Sequence, residues 1–299
     1  MNILLTGACK YSDAFLKRIT ELFGGYDFIQ YEKDKVDNPE KYDIAICNGL
    51  FLYNDIKDFK NLKYIQLTSA GLDRVPLEYI KNNNIKIFNA RGVYSVPMAE
   101  YAICGVLDFY KKSACLRENQ KNHSWIKNRD VFELCGKNVC IIGCGSVGIE
   151  CAKRFCAFNA RVTGIDINIF EHDFFEKIHP IGELKKCVGV ADIIVLTLPL
   201  TEKTKHIINK DVFDKMKNGA LLVNISRGAV VNEADLLNAL KNNLGGAILD
   251  VFEEEPLCED SPLWDLDNVI LSPHNSFVGE NNGKRLEKLI IDNLEGFMK

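Results

Sequence analysis

The sequence predicts an α/β protein of two lobes, in which a larger doubly wound parallel sheet is inserted into a smaller α/β lobe. Three observations carry this. Short apolar runs alternate with segments of helical period through the middle of the chain, the same alternation recurs on a smaller scale in the first 90 residues, and an amphipathic segment at the far end reads as a helix returning to the first lobe. At 299 residues there is length for two domains, and 47% apolar residues supply their cores.

Taken in order, the first lobe has apolar strands at 3–5, 44–46, 64–67 and 85–88. An amphipathic stretch over 96–117 reads as one helix leading into the larger lobe. There, strands at 139–142, 160–165, 192–198, 220–225, 246–251 and 269–271 are each bounded by Gly, Pro, Asn or Asp. Helices at 147–158, 209–216 and 232–241 lie between them, the last opened by Asn232 as an N-cap with acidic residues in its first turn. A final helix covers 285–297. The expected domains are therefore 1–95 plus 276–299, discontinuous, and 96–275, with two crossing connections and a cleft suited to a ligand.

Charge and cysteine usage narrow the function. The balance of 37 Lys+Arg against 41 Asp+Glu gives −4, which argues against a broad grip on nucleic acid. No apolar run approaches the roughly 18 residues of a membrane span, and the first residues lack a basic stretch and a cleavage site, so the expected setting is soluble and cytoplasmic. Eleven cysteines form no C-x-x-C pair and their number is odd, so they read as reduced, small apolar side chains; no metal site is expected.

The strand over 139–142 runs into Gly143-Cys144-Gly145-Ser146-Val147-Gly148, followed by a helical pattern. Gly143 allows the tight turn, Gly145 lets the backbone approach a pyrophosphate, and Gly148 permits close helix–strand packing, so the segment has the pattern of a dinucleotide-binding turn. Asp166, 18 residues after Gly148, ends the next strand and can accept hydrogen bonds from both ribose hydroxyls. No Arg or Lys follows in Ile167-Asn168-Ile169 to receive a 2′-phosphate, which favours NADH over NADPH. Leu198 and Pro199 end a strand at its carboxyl edge, where such sheets hold ligands, although strand-ending turn chemistry explains them equally well.

Four of the five histidines, His123, His172, His179 and His206, sit in settings that look like polar surface. His274 follows an apolar strand and Ser272-Pro273, and the same sheet edge presents Arg227 and Glu255. A guanidinium can hold a carboxylate in a planar fork and polarise the neighbouring ketone. His274 can deliver a proton to the carbonyl oxygen as hydride arrives, while Glu255 orients the ring and favours its protonated form. The alternative is an ordinary surface pair beside a loop-capping histidine.

Together these segments resemble the D-isomer-specific 2-hydroxyacid dehydrogenase family over about residues 68–297. The segments are Thr68-Ser69-Ala70-Gly71-Leu72-Asp73, residues 89–95 with Ala99 and Glu100, the glycine loop with Asp166, Leu198-Pro199-Leu200-Thr201 with Thr204, residues 224–228, residues 249–257, and Ser272-Pro273-His274. The resemblance implies a Rossmann domain inserted into a flavodoxin-like domain, and an NAD-dependent oxidoreductase interconverting a small 2-keto acid and a D-2-hydroxy acid. It implies Arg227, Glu255 and His274 as the catalytic trio. Ser69, Ala70, Gly71 and Leu72, with Arg227, are implied to bind substrate. For the cofactor it implies Gly143, Gly145, Ser146, Val147, Gly148, Asp166, Leu198, Pro199, Thr204, Ile225, Ser226 and Asp250, the last equally readable as a strand-end cap. It also implies a homodimer through the NAD-binding domain, with the helix from Val96 as the dimer element. Asn275-Ser276-Phe277 departs from the small or apolar residue and Gly that many relatives carry there. An NAD(H)-sensing scaffold on the same fold is the alternative, and an amino-acid dehydrogenase with a catalytic Lys is a third reading.

Overall fold

The computed structural model describes residues 1–298; Lys299, the end of the segment expected in the substrate-binding lobe, lies outside the described residues. One unit comprises Met1–Tyr94 and the chain from Gly279 onward, and a second comprises Ser95–Val278.

In the first unit β1 (Ile3–Thr6), β2 (Asp27–Ile29), β3 (Ile44–Cys47), β4 (Tyr64–Leu67) and β5 (Lys86–Phe88) form a parallel sheet in the order β2-β1-β3-β4-β5. Side chains alternate across a strand, so Ile3, Leu5, Ile44 and Ile46 share one face. They pack on Phe15 and Ile19 of α1 (Asp13–Phe23) and on Leu286, Ile290 and Leu294 of the C-terminal helix Asn282–Met298. Leu4, Ala45, Cys47, Ile65 and Leu67 meet Phe59 and Ile80 on the other face, Ile80 lying on α2 (Leu77–Asn82). Each such Leu, Ile or Phe side chain contributes about 1.5–3 kcal/mol by leaving water.

The second unit opens with α3 (Ser95–Tyr110) and α4 (Ser113–Lys121). Seven strands follow: β6 (Asn138–Ile142), β7 (Arg161–Asp166), β8 (Lys177–Pro180), β9 (Ile193–Leu196), β10 (Leu221–Asn224), β11 (Gly246–Leu249) and β12 (Val269–Leu271). The helices α5 (Ser146–Ala157), α6 (Leu184–Val188), α7 (Lys210–Phe213) and α8 (Glu233–Asn242) lie between them. All strands are parallel in the order β12-β11-β10-β9-β6-β7-β8, so the chain reverses direction across the sheet between β6 and β9. Val139, Ile141, Val195, Val223 and Ile248 pack on α3 and α5, whereas Cys140, Ile142, Leu196, Leu222 and Leu249 pack on the α7–α8 side.

Three expectations about elements need correction. The helix expected over 96–117 is two helices, because Lys112 adopts a left-handed φ of 54° and α4 buries no residue. The helix expected over 209–216 ends at Phe213, beyond which Lys215 and Met216 make tighter i→i−3 bonds. Two edge strands, β2 and β8, lie outside the expected set, since each has one neighbour and little buried surface to impose an apolar run. No helix among the described residues is long and apolar enough to cross a membrane.

Candidate functional site

The direction change between β6 and β9 opens a crevice at the carboxyl edge of the second sheet, the position where such sheets take ligands. The glycine turn fills it. Gly143 has a φ of 101°, and a side chain there would collide with the Thr197 carbonyl beyond β9. A Cβ at Gly148 would strike the Gly143 carbonyl, whose oxygen accepts the Thr197 hydroxyl at 2.5 Å. Gly145 is the N-cap of α5 and offers no side chain to its first turn, which leaves Ser146, Val147 and Gly148 at a helix start suited to phosphate. The Asp166 carboxylate takes the Cys144 N–H at 2.7 Å through Oδ2 and the Asn168 N–H at 2.9 Å through Oδ1. Each oxygen retains a second acceptor direction for a ribose hydroxyl. This cradle fits a dinucleotide. Burial pushes the Cys144 thiol up to about 12, so it stays a neutral filler beneath the turn.

After β9, Leu198 and Pro199 begin a turn that Thr204 closes: its hydroxyl donates to the Pro199 carbonyl at 2.7 Å and accepts the Thr201 N–H at 2.7 Å. After β10, Ile225 and Ser226 are buried. Asn224 folds this strand end, its Oδ1 accepting the Ser226 N–H and hydroxyl at 3.1 and 2.8 Å while its Nδ2 donates to the Arg227 carbonyl at 3.1 Å.

The register of β10, β11 and β12 aligns Asn224 with Leu249 and Leu249 with Leu271. Arg227, Asp250, Glu255 and His274 therefore all leave the same sheet edge within a few residues of aligned strand ends. The Arg227 guanidinium donates to the Ser226 carbonyl at 2.8 Å. Gly228 packs against the Phe252 carbonyl with no room for a Cβ, which ties the arginine turn to the segment carrying Glu255. Glu255 Oε1 accepts the Phe252 N–H at 3.1 Å, and Oε2 lies 2.8 Å from His274 Nδ1. With Nδ1 so engaged, Nε2 is the nitrogen available to a substrate. The Phe277 ring meets the His274 ring edge-on at 6.0 Å. Asp250 is fully buried, and its carboxylate accepts the Ser272 hydroxyl and the Asn275 and Ser276 N–H groups.

In the first unit, the carbonyls of the turn after β4 are each engaged by a hydrogen bond. Ser69 O accepts from Ala90 N at 2.8 Å, Ala70 O from Asn89 Nδ2 at 2.6 Å, and Gly71 O from the Ser69 hydroxyl at 3.2 Å. In a trans peptide the N–H points opposite the carbonyl, so the N–H groups of Ala70, Gly71 and Leu72 face the other way.

The four other histidines are not all polar surface. His179 is mostly buried beside Glu183, His172 sits among Phe170, Phe174 and Phe175, and the His206 ring lies 3.0 Å from Glu253; of the four, only His123 is exposed. Asn224 and Tyr101 also support this edge. Asn224 stood inside a motif without a role, and nothing local marks Tyr101, whose hydroxyl donates to Ser272 Oγ at 2.6 Å from 171 residues away.

The family model for the NAD binding domain of D-isomer specific 2-hydroxyacid dehydrogenases matches residues 103–276. The chain is 33% identical over 245 residues to a glyoxylate/hydroxypyruvate reductase A of Arabidopsis thaliana, covering 80% of this chain and 76% of that protein. It is 31% identical over 248 residues to a glyoxylate reductase of Thermofilum pendens, covering 80% of this chain and 73% of that one. A crystal structure of a D-isomer specific 2-hydroxyacid dehydrogenase family protein from Aeromonas salmonicida superimposes with a TM-score of 0.80 at 29% identity, covering 99% of this chain and 95% of that chain.

Proposed function

Because the chain belongs to the D-isomer specific 2-hydroxyacid dehydrogenase family, and is an oxidoreductase with a nicotinamide-dinucleotide-binding domain, we propose that it reduces a small 2-keto acid to the D-2-hydroxy acid with NADH. The observation that carries this is the His274–Glu255 pair at 2.8 Å on the sheet edge that also presents Arg227. The bound nicotinamide supplies hydride. His274 gives the carbonyl oxygen its proton through Nε2, held in aim by Glu255 at Nδ1. Arg227 grips the carboxylate and draws electron density from the ketone. The main chain of Ser69, Ala70, Gly71 and Leu72 is assigned to substrate binding in the same proposal, through the N–H groups of Ala70, Gly71 and Leu72. Gly143, Gly145, Ser146, Val147 and Gly148 hold the pyrophosphate, Asp166 the ribose, and Leu198, Pro199, Thr204, Ile225, Ser226 and Asp250 flank the cofactor.

Glyoxylate and hydroxypyruvate head the panel that tests this, followed by pyruvate, 2-ketoisocaproate and phenylpyruvate, with NADH and NADPH, nicotinamide absorbance and chiral analysis of the product. We expect NADH oxidation with at least one acid and a D product. Intact NADH binding without turnover on the whole panel would refute the reading. Pairing of two copies through the second unit belongs to the same proposal. The apolar residues of α3 are spent inside that unit, whereas Trp125 is 98% exposed and Ile126 66%, beside an α4 that buries nothing. Sedimentation of the wild type and Trp125→Ser tests it, with a monomeric wild type as the contrary result. Eleven free thiols support a reducing, cytoplasmic setting.

A further inference from the structure

The loop that carries His274 is built around a buried charge. Asp250 is fully buried. A carboxylate removed from water is tolerated only where its oxygens are hydrogen-bonded. Three donors meet it: the Ser272 hydroxyl, the Asn275 N–H at 2.7 Å and the Ser276 N–H at 2.9 Å. The His274 N–H donates to the main-chain carbonyl of the same aspartate at 2.8 Å. His274 itself has a φ of 50°, a left-handed conformation that is unfavourable for a non-glycine residue and persists only where surrounding bonds impose it. Asp250 therefore sets where the imidazole leaves the backbone, and Glu255 sets only how the ring turns.

The direction of the remaining bonds follows from proton counting. An ionised carboxylate only accepts, so the single Ser272 proton is spent on Asp250, and Ser272 Oγ must accept from elsewhere. The Tyr101 hydroxyl, 2.6 Å away on α3, is that donor. Burial pushes this phenol above its ordinary value, with Asp250 adding to the rise and Ser272 opposing it, so it keeps its proton. We propose that Tyr101 and Ser272 are positioning residues for the proton transfer, holding the His274 loop in its left-handed form through Asp250. The proposal rests on His274 being the acid in the function argued above.

Tyr101→Phe, Ser272→Ala, Ser272→Thr and His274→Ala enzymes test this by steady-state kinetics, NADH titration and amide hydrogen exchange at His274, Asn275 and Ser276. We expect Tyr101→Phe to lower kcat about fivefold and Ser272→Ala tenfold or more, with the Kd for NADH within twofold of wild type. Exchange at the three amides should quicken in both, and Ser272→Thr, which retains the hydroxyl, should recover at least half of kcat. Thermal melts identify a variant that fails to fold; Ser272→Thr and the exchange data then carry the test, and unprotected amides in a well-folded, active Ser272→Thr enzyme would count against the proposal. An inactive His274→Ala enzyme beside Tyr101→Phe and Ser272→Ala enzymes of wild-type kcat and amide protection overturns the positioning role alone. A fully active His274→Ala enzyme overturns the reading beneath it and the positioning role together.

Discussion

Replacing Asp166 by Asn separates the charge of this residue from its hold on the glycine turn. In the native chain Oδ2 accepts the Cys144 N–H at 2.7 Å and Oδ1 the Asn168 N–H at 2.9 Å. An asparagine amide oxygen can keep the Cys144 bond, so the turn survives while the anion disappears. For NADH, the loss of one hydrogen bond from a ribose hydroxyl to a charged acceptor is worth about 1.5–3 kcal/mol. For NADPH, a 2′-phosphate of about −2 charge some 4 Å from the carboxylate is repelled by about 2 kcal/mol at a water-like dielectric, and the substitution removes that repulsion. The water-like value suits a carboxylate that is only half-buried. The two effects add in the ratio of cofactor preferences, giving a swing of about 3.5–5 kcal/mol toward NADPH, or about 300- to 4,000-fold at 1.4 kcal/mol per decade. The assay is kcat/KM for each cofactor at saturating keto acid, with direct binding titrations as a second readout. A wild-type enzyme that prefers NADPH, or a swing below tenfold with the fold intact, refutes the assignment of Asp166 to the ribose.

Further outcomes follow from other parts of the molecule. Gly148→Ala puts a methyl group into the Gly143 carbonyl and should cost about 1–3 kcal/mol in a denaturant melt while abolishing NADH binding. Brief alkylation of the native protein should modify the exposed Cys104, Cys115, Cys135 and Cys258 and spare Cys140, Cys144 and Cys151, whose thiols burial pushes well up; peptide mass mapping checks it. The two-pronged bond from Arg117 holds the Asp108 carboxyl below the usual carboxylate range. Stability from this group is thus present at neutral pH and fades as pH falls below about 3.9, so Asp108→Asn should lower the melting temperature slightly at pH 7, by an amount that shrinks as the pH is taken below that value. Removing the Asn232 cap, whose side chain accepts the Asp235 N–H at 3.0 Å, should cost about 1 kcal/mol on Asn232→Ala in the same melts.

Periodicity in the chain determined the central strands of both sheets and, among the flanking helices, α3, α5, α8 and the C-terminal helix but not α1, α2 or α6, because a strand covered on both faces must be apolar throughout and a long covering helix must be apolar along one stripe. The glycine turn was equally local: strand, turn and helix start lie within 20 consecutive residues, so their order alone carries the chemistry. Two of the four edge strands escaped that logic. β8 has one inward apolar residue, Ile178, and β2 has none that is fully buried, so neither produces a pattern. The split between α3 and α4 escaped for another reason: a single left-handed residue, Lys112, interrupts an amphipathic stripe without changing its composition. Arg227, Glu255 and His274 could be singled out because each follows an apolar run at a strand end. Tertiary structure alone decided that Glu255 faces Nδ1 of His274, that Gly228 seats on Phe252, and that Asp250 gathers the loop through Ser272 and Tyr101. Such contacts join residues far apart in sequence through parallel strands whose neighbours are set by sheet order, and sheet order is written in no local stretch of the chain.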